Sequence, residues 1–303
     1  MAIITYVIRK FSYFFPISDK FYLYNHTMEL VNLIEDTQGS PKCINEHGLS
    51  FYIKTLKHKI LFDLGPSDQT LANAASLGVD ISSVDTVILS HGHYDHSGGI
   101  LPFVKNDPDA RIYMQVKAAE DYYAYDGPDK GYRYIGIDPL IPALQNVYPL
   151  NGCCEIDDEL EVIVANERPY EIPLTNDRLV RKDNGEYVKD DFAHEHSLVI
   201  RSEDISVLLC GCAHSGILNI LEAYKERYSS MPDYVIGGFH MMRKSGETEE
   251  DLRIAEETAW RLKETGVKFY TCHCTGIPAY ETMKKIMGDS IEYIHCGDRL
   301  SLP

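Results

Sequence analysis

The sequence predicts a mixed α/β fold in which helices cover sheets. Candidate strands and helices alternate along most of the chain, which is the pattern of that fold class. Val84–Leu89 is mostly apolar over the length of one strand, as expected for a strand covered on both faces. Glu247–Glu264 places its apolar residues on one side of a helix that would pack against a sheet, and Gly266 follows its end.

The first half of the chain contains five short segments with the apolar pattern of strands. The predicted strands are Leu30–Ile34, Leu49–Thr55, Lys59–Asp63, Val84–Leu89 and Ala110–Met114. A helix is predicted over Gln69–Leu77, ending at Gly78. Residues 120–143 carry five tyrosines among glycine, proline and aspartate, which predicts a long loop. That loop either forms an aromatic lid over a planar ligand or packs on the surface through its own tyrosines.

The second half of the chain repeats this arrangement. The predicted strands are Glu161–Val164, Leu198–Arg201, Ser206–Cys210, Tyr234–Ile236, Val267–Thr271 and Ile291–Ile294. The predicted helices are Gly216–Arg227, Glu247–Glu264 and Ala279–Met287. His-Ser-Gly follows an apolar strand and a short loop in both halves, beginning at His96 and at His214. This echo suggests two similar halves whose side chains at strand ends converge on one crevice.

The N-terminal residues 1–27 are predicted to be an irregular extension. Arg9 and Lys10 interrupt the apolar run there, and no small-residue cleavage site follows, so a targeting segment is disfavoured. The first well-patterned strand begins just after Met28, which makes Met28 an alternative start. No linker divides the rest of the chain, and we therefore expect a single domain over residues 28–303.

The composition limits the partners of the protein. With 46 acidic and 29 basic residues the net charge is −17, which argues against nucleic acid and against an anionic membrane surface. No segment has the roughly 18 uninterrupted apolar residues of a transmembrane helix. The eight cysteines are too sparse for a disulfide scaffold, which favours a cytoplasmic protein. A small-molecule substrate is the expected partner, and the oligomeric state stays open.

The sharpest motif is His91-Gly92-His93-Tyr94-Asp95-His96, directly after the apolar strand Val84–Leu89. A tight loop at a strand end lets neighbouring side chains converge. His91 and His93 can share one cation, while Asp95 and His96 turn toward a second. Three imidazoles and a carboxylate suit zinc, manganese or iron. The motif therefore predicts a metal site.

These residues resemble a known family. His91-x-His93-x-Asp95-His96 after an apolar strand resembles the signature of the metallo-β-lactamase superfamily, and Leu61-Phe62-Asp63-Leu64-Gly65 resembles its early strand–Asp–Gly element. Further motifs resemble the dihydropterin-methyl-aminobenzene-ribofuranosyl 5′-phosphate synthase-like branch of that superfamily. They are Glu46-His47-Gly48-Leu49-Ser50, Glu195-His196-Ser197-Leu198, Cys210-Gly211-Cys212-Ala213-His214, Gly237-Gly238-Phe239-His240 and His273-Cys274-Thr275-Gly276.

The resemblance implies a four-layer αββα sandwich with two metals, expected to be zinc with Mn²⁺ or Fe²⁺ as alternatives, at one edge. It implies that His91, His93 and a later histidine hold the first metal. Asp95, His96 and the final histidine would hold the second, and His273 is that final histidine because it follows the predicted strand Val267–Thr271. Asp63 would support the site from behind the ligands.

The middle part of the chain departs from the family pattern. The turn Gly211-Cys212-Ala213-His214 has no aspartate where the family has a bridging one. We expect His214 to be the third ligand of the first metal because it begins a helix beside the crevice. His194 and His196 are the alternatives, and Cys212 is either a thiolate ligand or a small buried residue. Without the bridging aspartate, a single tightly held metal is an alternative to two.

The resemblance implies a metal-dependent hydrolase that acts on a small phosphorylated or pterin-like substrate through metal-activated water. Asp95 would orient that water, and His240 or His214 would assist proton transfer. The alternative for His240 is a packed residue at a strand end. Two other functions stay open: a synthase or transferase using the same metals as Lewis acids, and a non-catalytic metal or redox sensor using Cys210, Cys212, Cys272 and Cys274.

Overall fold

The computed structural model describes residues 27–106, 109–202 and 205–303. The predicted extension 1–27 lies outside the described residues except for Thr27. Within them the strands, in chain order, are β1 (Met28–Ile34), β2 (Ser50–Lys54), β3 (Lys59–Phe62), β4 (Thr86–Ile88), β5 (Arg111–Gln115), β6 (Tyr122–Tyr125), β7 (Tyr132–Tyr134), β8 (Val147–Leu150), β9 (Cys154–Glu155), β10 (Leu160–Ile163), β11 (Leu179–Asp183), β12 (Glu186–Lys189), β13 (Ser197–Arg201), β14 (Ser206–Cys210), β15 (Tyr234–Gly237), β16 (Lys268–Thr271), β17 (Ile291–Tyr293) and β18 (Arg299–Leu302).

The α-helices of the described residues lie between these strands. They are α1 (Gln69–Leu77), α2 (Tyr94–Ser97), α3 (Ile100–Asn106), α4 (Ile217–Tyr228), α5 (Glu249–Glu264) and α6 (Ile277–Met287). Helix α1 ends at Gly78, which adopts the left-handed conformation (φ 71°) as a C-terminal glycine often does. None of the helices described here is long and apolar enough to cross a membrane.

Two large sheets of seven strands each have the same plan. Their strand orders are β18-β1-β2-β3-β4-β5-β8 and β9-β10-β13-β14-β15-β16-β17. In each sheet three antiparallel pairs are followed by three parallel pairs. This repetition agrees with the two similar halves predicted from the sequence.

The period-two pattern of the strands divides their side chains between two cores. In β4, Ile88 belongs to the core between the two sheets, whereas Val87 faces the core beneath α1 and α3. In β14, Leu209 faces the core between the sheets, and Leu208 faces the core beneath α4, α5 and α6. Helices thus cover the outer face of each sheet, and the predicted αββα sandwich is confirmed.

The prediction of a loop over residues 120–143 is wrong in part. Strands β6 and β7 pair with each other, and β6 pairs with β11 in a small sheet of order β12-β11-β6-β7. The tyrosines pack on one another there, with the Tyr132 and Tyr187 ring centroids 3.7 Å apart. Tyrosine favours strands, but the glycine, proline and aspartate residues between the tyrosines indicated a loop. The pairing partner β11 also lies far along the chain, so the sequence near β6 gave no sign of it.

Candidate metal centre

The predicted site residues come together at one edge of the sandwich, where strands of both sheets end. Asp63 follows β3, and the motif from His91 to His96 follows β4 in the first sheet. From the second sheet, loops after β14, β15 and β16 bring three further histidines, His214, His240 and His273. Carboxyl ends of parallel strands commonly hold sites in such sheets, because the loops there converge.

The first cluster consists of His91, His93 and His214. One ring nitrogen from each lies within 4.8 Å of the others, and all three residues are buried. Among the described residues, the Nε2 atom of each ring has no hydrogen-bond partner. Unpartnered buried polar atoms are costly, so three that converge indicate a place for a cation.

The second cluster consists of Asp95, His96 and His273. His273 Nε2 lies 3.9 Å from Asp95 Oδ2 and lacks a hydrogen-bond partner within the described chain. His96 Nε2 lies 3.3 Å from Cys212 Sγ. All six metal ligands predicted from the sequence therefore lie in two adjoining clusters.

Asp63 fixes the ring orientations of two of these histidines. Its carboxylate accepts hydrogen bonds from the Ser90 backbone N–H (2.8 Å), the Ser90 hydroxyl (2.7 Å) and His96 Nδ1 (2.7 Å). Because the Ser90 hydroxyl donates its proton to Asp63, its oxygen accepts from His91 Nδ1 at 2.8 Å. Both rings thus carry their proton on Nδ1 and present an Nε2 lone pair to the centre.

Asn176 and Asp36 hold two further histidines in the same way. The Asn176 side chain donates from Nδ2 to the His214 backbone carbonyl at 2.8 Å, so its Oδ1 accepts from His214 Nδ1, also at 2.8 Å. Asp36 Oδ1 accepts from His273 Nδ1 at 2.5 Å. Each ring again directs Nε2 inward, as histidine ligands do when their other nitrogen is bonded to an outer partner.

Burial sets the charges of these groups. It lowers the pKa of His91 and of His214 well below the ordinary value, and neighbouring imidazoles add to the effect. It also lowers the pKa of His93 to about 3, and the nearby imidazole of His194 adds to the effect. These three rings are therefore neutral at pH 7 and can donate a lone pair.

Neighbouring charges shift the pKa values of two groups in the second cluster. Burial alone would raise the pKa of Asp95, but His96 and His47 outweigh it and lower the pKa to about 2. Burial would lower the pKa of His273, but the carboxylate of Asp36 outweighs it and raises the pKa to about 10. A cation bound at His273 would therefore displace a proton from the ring.

The backbone around the centre is held in an uncommon conformation. Asp63, Ala213, His240 and His273 all have φ between 48° and 57°, the left-handed region that non-glycine residues seldom adopt. Each such residue costs about 1–3 kcal/mol, and such residues cluster at functional sites. A Cβ atom at Gly211 would overlap the Ser90 hydroxyl, so glycine is required there for the turn to approach Asp63.

The alternatives left open by the sequence differ in geometry. His194 has both ring nitrogens engaged: Nδ1 accepts the Gly92 N–H at 2.9 Å, and Nε2 lies 3.1 Å from Asp190 Oδ2. His196 Nδ1 lies 3.1 Å from Gln115 Nε2. The Nε2 atom of His196 has no hydrogen-bond partner among the described residues, but it is His214 whose ring nitrogen lies within 4.8 Å of those of His91 and His93, which favours His214 as the third donor of the first cluster. The His240 ring lies 4.1 Å from the His214 ring and lines the crevice.

Several residues of the site were not predicted from the sequence. Asp36 follows β1 as Asp63 follows β3, and a carboxylate just after a strand is the sequence signal that could have identified it. His47 lies 3.5 Å from Asp95 Oδ2 and was noted only as part of a family-like motif. No sequence signal identifies Asn176. Glu195 accepts the backbone N–H groups of His214 (2.6 Å) and Ser215 (2.7 Å), which fixes the turn that carries His214.

A crevice of about 640 Å³ opens above the two clusters. Five cationic side chains line it: Lys130, Arg133, Arg178, Arg243 and Lys244. Asp126 holds two of them, with one oxygen 2.7 Å from Arg133 Nε and the other 2.9 Å from Arg178 Nη1. The pKa of Lys244 is lowered by burial and by these two guanidinium groups, which places the three positive charges close together.

Comparisons with known proteins agree with this architecture. The chain is 28% identical to an uncharacterized protein of Methanocaldococcus jannaschii over 88% of its own length and 98% of the relative's. It is also 28% identical to the 7,8-dihydropterin-6-methyl-4-(β-D-ribofuranosyl)-aminobenzene-5′-phosphate synthase of the same organism, over 89% and 95% of the two chains. The crystal structure of Tm1679, a metal-dependent hydrolase of the β-lactamase superfamily, matches with a TM-score of 0.75 and 28% identity, over 90% of this chain and 98% of that one.

The Zn²⁺-bound PqqB of Methylobacterium extorquens shares only the fold, with a TM-score of 0.52 and 12% identity over 90% of this chain and all of that one. The model of the metallo-β-lactamase superfamily matches residues 45–214, more than half of the chain, and this match includes the motif from His91 to His96. The chain therefore belongs to the metallo-β-lactamase superfamily.

Proposed function

We propose that this protein is a metal-dependent hydrolase that acts on a small phosphorylated molecule. The observation that carries the proposal is the set of buried, unpartnered Nε2 atoms on the floor of a crevice with a cationic rim. The nitrogen atoms of the floor can bind cations, and the positive charges of the rim can bind an anionic group of the substrate. The two features lie in one cavity, which is the usual arrangement of an active site.

The donor set fits zinc. Imidazoles dominate it, with one carboxylate and a thiol nearby, and zinc accepts all three kinds of ligand. His91, His93 and His214 would hold one ion, and Asp95, His96 and His273 would hold a second, with manganese or iron as alternatives. Bound there, the ions would supply Lewis acidity and lower the pKa of a coordinated water toward about 7.

Residues of the chain would perform the remaining steps. The Asp95 carboxylate stays ionised because its pKa is about 2, so it can accept a hydrogen bond from the attacking water and orient it. His240 has a buried Nδ1 atom without a hydrogen-bond partner in the described chain, and its ring lines the crevice. An imidazole there can hold a proton and deliver it to the leaving group.

The rim supports a phosphorylated substrate. Arg133 and Arg178 are bound to Asp126 through one nitrogen each, which leaves further N–H groups of both guanidinium groups free of that ion pair. Guanidinium groups recognise phosphate oxygens with paired hydrogen bonds. In a chain of net charge −17, a group of five cationic side chains around one crevice favours anions locally. Tyr94 and Tyr125 also line the cavity and offer aromatic surface.

The test is an activity screen of the zinc-loaded protein against small phosphate monoesters and diesters, with products identified by mass spectrometry. We expect incorporation of the elements of water into a phosphorylated compound. His91→Ala should abolish turnover, whereas Lys225→Gln, on the exposed side of α4, should not change it. Turnover that is unchanged in His91→Ala would contradict the proposal.

A synthase is the second candidate, because the M. jannaschii relative with that name is 28% identical over nearly its whole length. The same residues would then hold metal ions that supply Lewis acidity for a substitution, in which the amine of a ribofuranosyl-aminobenzene phosphate bonds to the methyl carbon of a dihydropterin while a leaving group on that carbon and a proton from the amine depart. The cationic rim would bind the phosphate. Supplying both components distinguishes the two functions. A condensed product favours the synthase, and hydrolysis of a phosphorylated component alone favours the hydrolase.

A further inference from the structure

We propose that the thiolate of Cys212 is a metal ligand shared by the two clusters of the centre. The proposal rests on the metal-dependent function above and adds a ligand to it. Cys212 Sγ lies within 4.8 Å of donor atoms on both sides: those of His91 and His214 in the first cluster, and those of His96 and His273 in the second. A ligand between two metal ions must occupy such a position.

The distances suit coordination. Bond lengths of about 2.3 Å for Zn–S and about 2.0 Å for Zn–N place two donors of a tetrahedral zinc roughly 3.5 Å apart. Cys212 Sγ and His96 Nε2 are separated by 3.3 Å. Since His96 carries its ring proton on Nδ1 toward Asp63, its Nε2 lone pair faces the Cys212 thiol. Binding of the cation would release the S–H proton to solvent as the S–metal bond forms.

The turn after β14 directs this sulfur into the centre. Ala213, between Cys212 and His214, has the left-handed φ of 53°, and the Cys212 sulfur and a His214 ring nitrogen lie within 4.8 Å of each other. Cys212 is 3% exposed, so its thiol is surrounded by protein atoms, including the histidines, and has little contact with solvent. The turn has no carboxylate between Cys210 and His214, which leaves Cys212 as its second donor.

Neighbouring cysteines are placed differently. Cys210 belongs to the core beneath the helices, and its sulfur lies 3.6 Å from the Gly238 carbonyl oxygen. Cys272 belongs to the core between the sheets. Cys274 lies near the second cluster, but its sulfur accepts the backbone N–H of His240 at 3.3 Å. Cys212 is therefore the cysteine whose position spans both clusters, and Cys210 is a matched control on the same turn.

A shared thiolate makes the centre selective for soft metals. Thiolate favours zinc, cobalt and cadmium over magnesium and manganese, which prefer oxygen ligands. Cobalt is also a spectroscopic probe, because a thiolate bound to Co²⁺ gives an intense charge-transfer absorption in the near ultraviolet. The spectrum therefore reports the ligand without any substrate or activity.

The experiment is a titration of the metal-free protein with Co²⁺, followed by absorption. We expect a thiolate charge-transfer band that grows or shifts through both the first and the second equivalent. The band should persist in Cys210→Ala and Cys274→Ser and disappear in Cys212→Ser. Cys212→Asp should lose the band but keep two cobalt ions, because a carboxylate can also bridge.

The titration can contradict the proposal in three distinguishable ways. Cobalt bound without the band, or a band that depends on Cys274 rather than Cys212, overturns the assignment of Cys212. A band complete at one equivalent overturns its position between the two ions. No cobalt bound by the folded wild-type protein would overturn the metal-dependent function itself. Circular dichroism of each variant checks that it is folded. If Cys212→Ser does not fold, Cys212→Asp serves as the variant that lacks the thiolate.

Discussion

Replacing Asp63 by asparagine should weaken metal binding although Asp63 is not itself expected to touch a metal. Its carboxylate accepts from Ser90 and from His96 Nδ1, and the Asp63 and His96 side chains are both fully buried. In Asp63→Asn the amide oxygen can still accept the Ser90 backbone N–H. The amide N–H₂ then faces the Ser90 hydroxyl and His96 Nδ1, so His96 moves its proton to Nε2 and loses the inward lone pair.

The magnitude follows from the two contacts that are lost. Each is a hydrogen bond to a charged group, worth about 1.5–3 kcal/mol. We expect the free energy of unfolding of the metal-free protein to fall by about 3–6 kcal/mol, the sum of two such contacts. Zinc affinity should fall by about 10- to 100-fold, the usual effect of removing an outer partner of a histidine ligand.

Competition with a chromophoric zinc chelator measures the affinity, and chemical unfolding measures the stability. The matched control is Asp190→Asn, because Asp190 also forms a buried pair with a histidine, His194, whose other ring nitrogen accepts the Gly92 N–H and is not directed at a metal. We expect the control to lose stability and keep its zinc affinity. Equal zinc affinity in Asp63→Asn and wild type, or equal losses in both variants, would refute the tautomer argument.

Three further predictions concern the ligands, the rim and the surface. His214→Ala removes a donor of the first cluster and should leave about one fewer zinc ion per chain after dialysis; unchanged metal content would show that His214 is not a ligand. Arg133→Gln and Arg178→Gln should each raise KM for a phosphorylated substrate roughly tenfold, through loss of a charge-assisted hydrogen bond, and leave KM for its unphosphorylated analogue unchanged; equal effects on both compounds would argue against phosphate recognition. Burial would lower the pKa of His58, but hydrogen bonds to two aspartates raise it above 6.5, so His58→Gln should cost stability below about pH 6.5 and progressively less as pH rises through the folded-state pKa. Urea unfolding across this range checks the last prediction, and a pH-independent difference would contradict it.

Contiguity decided which parts of the site could be predicted. The four motif residues from His91 to His96 lie on one loop, so their spacing alone indicates a shared cation. His273 was predicted because it follows an apolar strand, and His214 because it precedes a helix beside the crevice. The two sheets bring both positions to the same edge. The alternating elements indicated a mixed α/β fold, and the family resemblance implied the αββα layers.

Long-range pairing explains what the sequence did not reveal. Asp36 is 237 residues from His273, and Asn176 is 38 residues from His214, yet each orients that ring. Only the packing of the two sheets makes these partners adjacent. Strand β6 was hidden for the same reason, because its partner β11 is distant and its own turn is rich in glycine, proline and aspartate.

The central claim is that the two histidine-rich clusters hold metal, and metal content tests it most directly. Wild type and His91→Ala would be loaded with zinc, dialysed together and measured by inductively coupled plasma mass spectrometry. The structure predicts about two zinc ions per wild-type chain and at most one in His91→Ala. No retained zinc in the wild type, or the same content in both proteins, would contradict the claim.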